Sequence, residues 1–184
     1  YGEGFNGARG TGFLQDQKGA RLLYTPLDKE YGDMKVELYV DPTKMAGQGF
    51  GSATGQYMDV YIKFDTKTLT GYALRIIRTT KFSNAVDFLL MKYEHGKAIP
   101  ITDPISSICY RTGCSIRLEV EKDVLSAHVE TETPLPPIRS AELTSKVDLD
   151  VRIDPNGFGG TGVQHTGSCG ESTTMLHTLK VEWK

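Results

Sequence analysis

The sequence predicts an all-β chain folded as an antiparallel sandwich or barrel. Three observations lead there. Apolar and polar residues alternate with a period of two in run after run, the spacing that sends successive side chains to opposite faces of a strand. Short stretches rich in turn-forming residues separate the runs, and glycine, at 20 of 184 residues, exceeds its usual share of about 7%. No window carries the 3.6-residue period of a long helix. A strand face that turns inward needs a second sheet to bury it, so about a dozen short strands in one chain imply two packed layers or a closed barrel.

The runs can be taken in order. Lys35–Val40 alternates polar and apolar, and Asp59–Phe64 repeats the pattern. Asp65–Gly71 is a turn, after which Tyr72–Thr79 sets Leu74 and Ile76 on one face and Arg75 and Ile77 on the other. Val86–Tyr93 is apolar on both faces, as a central strand requires. Glu94-His95-Gly96-Lys97 reads as a tight hairpin turn, with glycine available for a positive φ. Ser115–Glu121 turns Ile116, Leu118 and Val120 inward, and after Glu121-Lys122-Asp123 the run Leu125–Thr131 pairs back on it. Thr133–Pro137 is a stiff connection, and Ser140–Ser145 has room for one short turn. Lys146–Asp154 turns Val147, Leu149, Val151 and Ile153 inward, and Met175–Trp183 closes the fold with Met175, Leu179, Val181 and Trp183 on one face. Two glycine-rich stretches, Gly47–Gly51 and Gly157–Gly162, read as loops.

Composition narrows the function. Twenty-one basic against 23 acidic side chains give a net charge of −2, without the basic excess or stripe of a nucleic-acid binder. No apolar stretch approaches the ~20 residues of a membrane span. The length suits one domain, 1–184, with a sizeable core. The chain opens at Tyr1 without a charged and apolar leader, so the expectation is a domain excised from a larger secreted, periplasmic or cell-surface protein. Three cysteines are present. Cys109 and Cys114 bracket Tyr-Arg-Thr-Gly, a ring short enough to close a disulfide across a hairpin end if the Cβ atoms face each other; two unrelated thiols are the alternative. Cys169, near His165, lacks the further ligands of a zinc site.

The strand grammar of Asp59–Asp65, Gly71–Ile76 and Val86–Tyr93 resembles the concanavalin A-like lectin/glucanase jelly roll. Ser115–Glu121 followed by Leu125–Val129 is similar to a laminin-G-like hairpin, and Leu179–Trp183 to the last strand of those domains. The resemblance covers roughly half the chain and is one of strand and turn pattern, not of a signature motif. It implies a jelly-roll β-sandwich of two curved sheets. Sugar is often bound on the concave face or the rim loops, and calcium is a common accessory. Many members are non-catalytic modules of secreted polysaccharide-degrading enzymes.

Retaining glycosidases of this fold carry carboxylates at alternating positions of one strand. Glu119-Val120-Glu121 and Asp148-Leu149-Asp150 have the spacing, but neither completes the longer hydrolase motif. His128 and Glu130, across a hairpin from Arg117 and Glu119, could abstract a sugar proton as a polysaccharide lyase does; the longer lyase motifs are not intact, and an ordinary polar sheet face is the simpler reading. Asp59, Asp65, Asp148, Asp150 and Asp154 could feed a calcium ion if the fold gathers them. Gly167-Ser168-Cys169-Gly170 lacks the Gly-x-Ser-x-Gly of a nucleophile elbow.

Binding chemistry is better supplied. A sugar stacks its C–H face on an aromatic ring and asks for directed polar partners around its hydroxyls. Tyr57, Tyr61, Tyr72, Phe50 and Phe158 lie near glycine-rich stretches or strand ends. Arg75, Arg78, Arg111 and Arg117 could hold a uronate or sulfate, although salt bridges to nearby Asp and Glu are their simpler use. The expected site is an edge formed by Gly47–Tyr57 and Gly157–Gly170, with Phe50, Tyr57 and Phe158 stacking and Gln164 and His165 contacting hydroxyls. The leading function is a non-catalytic carbohydrate-binding module for an oligo- or polysaccharide. A glycoside hydrolase or lyase working on the concave sheet face, through Glu119, His128, Glu130 and Arg117, is the alternative. A laminin-G-type adhesion domain is a third reading.

Overall fold

The alternating runs do become strands. The computed structural model describes residues 2–5, 18–42, 57–78, 86–107, 113–131, 145–167 and 174–184. Among these residues are thirteen strands and no helix. They are β1 (Gly2–Phe5), β2 (Lys18–Tyr24), β3 (Met34–Pro42), β4 (Tyr57–Asp65), β5 (Thr70–Arg78), β6 (Val86–Glu94), β7 (Lys97–Pro100), β8 (Ile105–Ser107), β9 (Cys114–Glu121), β10 (Val124–Thr131), β11 (Lys146–Arg152), β12 (Gly160–Gly167) and β13 (Thr174–Trp183). With no helix, no helical membrane span exists among the described residues.

All pairings are antiparallel, in two sheets. The eight-stranded sheet runs β1-β2-β12-β4-β5-β6-β7, with β8 also on β6; the five-stranded sheet runs β11-β10-β9-β3-β13. The chain crosses between layers, setting β12 between β2 and β4 and β3 between β9 and β13, so this is a jelly-roll sandwich and not a simple meander. The β9–β10 hairpin forms in the expected register, Ser115 opposite Glu130 and Val120 opposite Leu125. The β6–β7 hairpin turns on His95 and Gly96, with φ of 49° and 82°, the positive values that match the twist of the flanking strands.

The core fills the space between the sheets. Val36, Leu38, Ile116, Leu118, Val129 and Leu149 of the smaller sheet face Val60, Ile62, Leu74, Ile76, Phe88 and Leu90 of the larger, all buried. Val151 and Val181 are only partly buried against them. Trp183 packs beside Tyr24 and Tyr31 and donates its indole N–H to the Gly159 carbonyl at 3.0 Å.

Three expectations need correction. Residues 160–167 are a central strand and not part of a loop. The glycines there serve close packing. A Cβ on Gly160 would lie 2.1 Å from the Phe64 carbonyl oxygen, and one on Gly162, at φ +154°, 2.1 Å from that of Leu22. Second, the alternation of Asp59–Phe64 breaks at a bulge, with Lys63 at φ 50°. The extra residue turns Phe64 to the side of Tyr61, whose ring it stacks on at 4.2 Å, and away from Val60 and Ile62. Third, Asp59 and Lys63 are not solvated outward residues but are buried, 0% and 2% exposed. The Lys63 ammonium donates to the Tyr31 and Gly32 carbonyls at 2.6 and 2.8 Å, and burial, opposed by the nearby Asp33 charge, lowers its pKa.

Cys114 is buried and disulfide-bonded. Its expected partner Cys109 lies outside the described residues, as do Phe50, Arg111, Cys169, Gly47–Gly51, Thr133–Pro137 and most of Ser140–Ser145.

Candidate functional site

The outer face of the eight-stranded sheet carries one connected polar and aromatic network. Strand parity builds it. In β4 the residues facing away from the core are Tyr57, Asp59 and Tyr61, and register aligns Asp59 with Arg75 of β5 and with Gln164 of β12, which in turn aligns with Arg21 of β2. Four strands thus contribute one row across the sheet, Arg21–Gln164–Asp59–Arg75. A second row, Tyr57–Ile77–Asp87–Ser106, lies beside it.

Asp59 is the anchor. Its carboxylate accepts two hydrogen bonds from Arg75, Nε to Oδ1 and Nη2 to Oδ2, both 2.8 Å, in the bidentate geometry that fixes a guanidinium in plane. The Tyr93 hydroxyl also donates to Asp59 Oδ2, and Arg75 Nη2 lies 3.0 Å from the same hydroxyl. The guanidinium sits over the Tyr57 ring, 3.8 Å from its centroid, a cation–π contact. Gln164 links the other end: its Oε1 accepts from Arg21 Nε at 2.8 Å and from the Tyr61 hydroxyl at 3.1 Å, and its Nε2 lies 3.5 Å from Tyr57 Oη.

Burial sharpens these interactions. Desolvation alone would lower the Arg75 pKa, but the hydrogen bonds and charge of Asp59 outweigh it and raise it above its ordinary value. Burial, then the Asp59 charge, raise the phenols of Tyr93 and Tyr61, so both stay protonated and available as donors. Toward one end the face closes over: Tyr61, Phe64, Ala73, Leu89, Met91 and Tyr93 form a second apolar cluster on this side of the sheet. Toward the other end Arg21, Tyr57, Ile77 and Asp87 stay half-exposed. Rings and hydrogen-bonding groups there are held in place by a buried ion pair, so they meet a ligand without paying much conformational entropy.

Of the residues expected to bind, the fold brings Tyr57 and Gln164 together on this face and sets His165 and Phe158 apart from them. His165, one position along β12, points to the opposite side. Its Nε2 is buried without a hydrogen-bond partner, and burial pushes its pKa down to about 4, so it is a neutral interior histidine. Phe158 is half-buried in the segment before β12, where its N–H donates to Asn156 Oδ1 at 3.0 Å. Asp59, Tyr93 and Arg21 were not foreseen. One signal pointed to the first: an arginine inside the apolar run Tyr72–Ile77 requires a carboxylate on a neighbouring strand.

Arg117, Glu119, His128 and Glu130 lie on the other side of the sandwich, on the outer face of the five-stranded sheet. Arg117 is opposite His128, whose Nδ1 is 2.5 Å from Asp148 Oδ1. Glu119 is engaged by Lys184 at 3.0 Å and Glu130 by Lys146 at 3.1 Å. The five aspartates considered for calcium are dispersed. Asp59 pairs with Arg75, Asp65 caps its own turn through Thr68 and the Lys67 N–H, Asp148 pairs with His128, Asp150 is exposed, and Asp154 is 3.5 Å from Lys92. No three His, Cys, Asp or Glu side chains among the described residues form a metal-holding group.

No known family matches the chain, and no curated protein does. Solved structures do. A carbohydrate binding module, CBM66, from Bacillus subtilis superposes with a TM-score of 0.55 at 16% identity, over 89% of this chain and 81% of that one. The CBM2 module of the evolved Dit of Lactobacillus casei BL23 phage J-1 gives 0.56 at 10% identity, over 90% and 68%. A xylan beta-1,4-xylosidase from Bacillus halodurans C-125 gives 0.53 at 11% identity, over 89% of this chain and 32% of the enzyme. The chain therefore shares the two-sheet jelly-roll sandwich fold of these domains, the fold that the strand pattern resembles.

Proposed function

We propose that this chain is a non-catalytic carbohydrate-binding module of an extracellular or periplasmic glycan-processing protein, a single sandwich domain joined to others. It holds an oligo- or polysaccharide on the half-exposed end of its eight-stranded sheet. The observation that carries this reading is the row Arg21–Gln164–Asp59–Arg75 with the Tyr57 ring beside it. An aromatic ring and fixed N–H donors, set on rigid strands and backed by a buried ion pair, are what a sugar's C–H face and hydroxyls select. Structures that share this fold include carbohydrate binding modules and part of a xylosidase, which supports the reading.

The test is a glycan array followed by isothermal titration of the hits. Tyr57→Ala and Arg21→Ala should each weaken binding at least tenfold with the melting temperature nearly unchanged. If every hit binds both variants as tightly as the unaltered protein, this face is not the site. If the protein instead shortens or unsaturates a hit glycan, the non-catalytic reading fails.

A further inference from the structure

The outer face of the five-stranded sheet has a use that the proposal above leaves open. Pair registers align Lys180, Glu37, Arg117, His128 and Asp148 in one row across all five strands. The adjacent row sets Tyr39, Ser115, Glu130 and Lys146 side by side, with Thr178 next to Tyr39. Between and over these rows lies an open groove of about 630 Å3, within the ~300–1,000 Å3 range of small-ligand sites.

The charges in this groove are not evenly spent. Each carboxylate already has a side-chain partner. Glu37 is 3.1 Å from Lys35 and 3.7 Å from Lys180, Glu130 is 3.1 Å from Lys146, and Asp148 is 2.5 Å from His128. Arg117, at the middle of the middle strand, makes no ion pair among the described residues, although Glu37 and His128 flank it in register. A guanidinium left open on a groove floor, with the surrounding carboxylates engaged elsewhere, is complementary to a planar carboxylate that it can hold through two parallel N–H donors. The hydroxyls of Ser115 and Thr178 line the same groove. Hydroxyl-bearing walls around one cationic centre suit a ligand that carries one carboxylate among many hydroxyls, which is the chemistry of a uronic-acid saccharide.

We infer that this groove is a second binding site, on the opposite side of the sandwich from the first, for a carboxylate-bearing saccharide anchored by Arg117. The experiment is isothermal titration at low ionic strength with three probes: tetragalacturonate, its neutral galactose counterpart and hexaglutamate. Tetragalacturonate should bind with saturable heat. Arg117→Gln should weaken that binding at least tenfold, and Arg117→Lys, which keeps the charge but not the fork, by a smaller factor. Tyr57→Ala should leave it unchanged, which separates this site from the one on the eight-stranded sheet. Arg117 is exposed, so its substitution should leave the melting curve in place; if Arg117→Gln does not fold, Arg117→Lys carries the comparison. The inference is overturned if tetragalacturonate gives no binding, if neither Arg117 variant weakens it, if Tyr57→Ala abolishes it, or if the neutral counterpart binds equally well. Tighter binding of hexaglutamate would make the groove an acidic-peptide site and would equally overturn it.

Discussion

The two outer faces of this sandwich are both lined by charged residues, yet they handle charge in opposite ways. On the eight-stranded sheet one ion pair, Asp59–Arg75, is buried, bidentate and hydrogen-bonded further to Tyr93. On the five-stranded sheet at least six pairs lie at the surface, among them Glu130–Lys146, whose side chains are 65% and 69% exposed. The first arrangement fixes geometry, because removing either partner strands a charge away from water. The second keeps a face soluble and discourages further strand pairing, at little cost or gain in stability. A rigid site therefore belongs to the first face, while the second offers a solvated groove in which an unmatched charge can wait for a ligand.

This comparison can be broken most directly at its buried pair. Asp59→Ala leaves the Arg75 guanidinium without its carboxylate and should cost about 3–5 kcal/mol in chemical denaturation. The same measurement on Glu130→Ala should give a loss within about 1 kcal/mol. Equal losses would mean that the two faces do not differ as argued.

An intermediate case sits on the inner side of the larger sheet. His165 has its pKa pushed down by burial to about 4, against about 6.5 in an unfolded chain. Between those values the unfolded chain binds the proton and the folded chain does not. Stability from this residue is thus complete above about pH 6.5, falls as the pH drops toward 4 and changes no further below that. The loss is at most about 3 kcal/mol. Denaturation midpoints measured from pH 7 to pH 4 should show this slope, and His165→Phe should flatten it. An unchanged slope in the variant would place the pH dependence elsewhere.

The smallest effect concerns salt. Surface pairs are screened within about a Debye length, roughly 8 Å at physiological ionic strength. Lys146→Ala should therefore shift stability by well under about 1 kcal/mol at low salt, and by less at high salt. The Asp59→Ala loss should persist at high salt, since buried pairs are screened much less. A salt-insensitive Lys146 effect would blur the distinction between the faces.

Particular residues show how much of this was legible. Period-two alternation located β3, β4, β5, β9, β10, β11 and β13, because the pattern follows the pleat, and a run apolar on both faces located β6. It missed the short strands β1, β7 and β8, and also β2 and β12. In these last two Leu22 and Leu23 are consecutive, and glycines at 160 and 162 imitate a loop in composition while serving tight contacts in a sheet. Of the site on the larger sheet, Tyr57 and Gln164 were singled out and Arg75 was suspected of pairing with an acid. Asp59 and Tyr93 were hidden because a charged residue and a tyrosine at alternating positions look the same whether the face is wet or covered.

The sequence by itself determined the class of fold, the hairpins and most of the inter-sheet core, since each depends on neighbours along the chain or on simple alternation. Only the tertiary structure decided which strands from distant parts of the chain share a sheet. Bringing β2, β12, β4 and β5 side by side aligned Arg21, Gln164, Asp59 and Arg75, residues separated by up to 143 positions in the chain. It also sent Tyr57 and Gln164 to one side and His165 to the other, and it left Arg117 without an ion-pair partner among the described residues. Strand order and register are set by the sum of packing and hydrogen bonds over a whole sheet, and no local stretch of residues contains that sum.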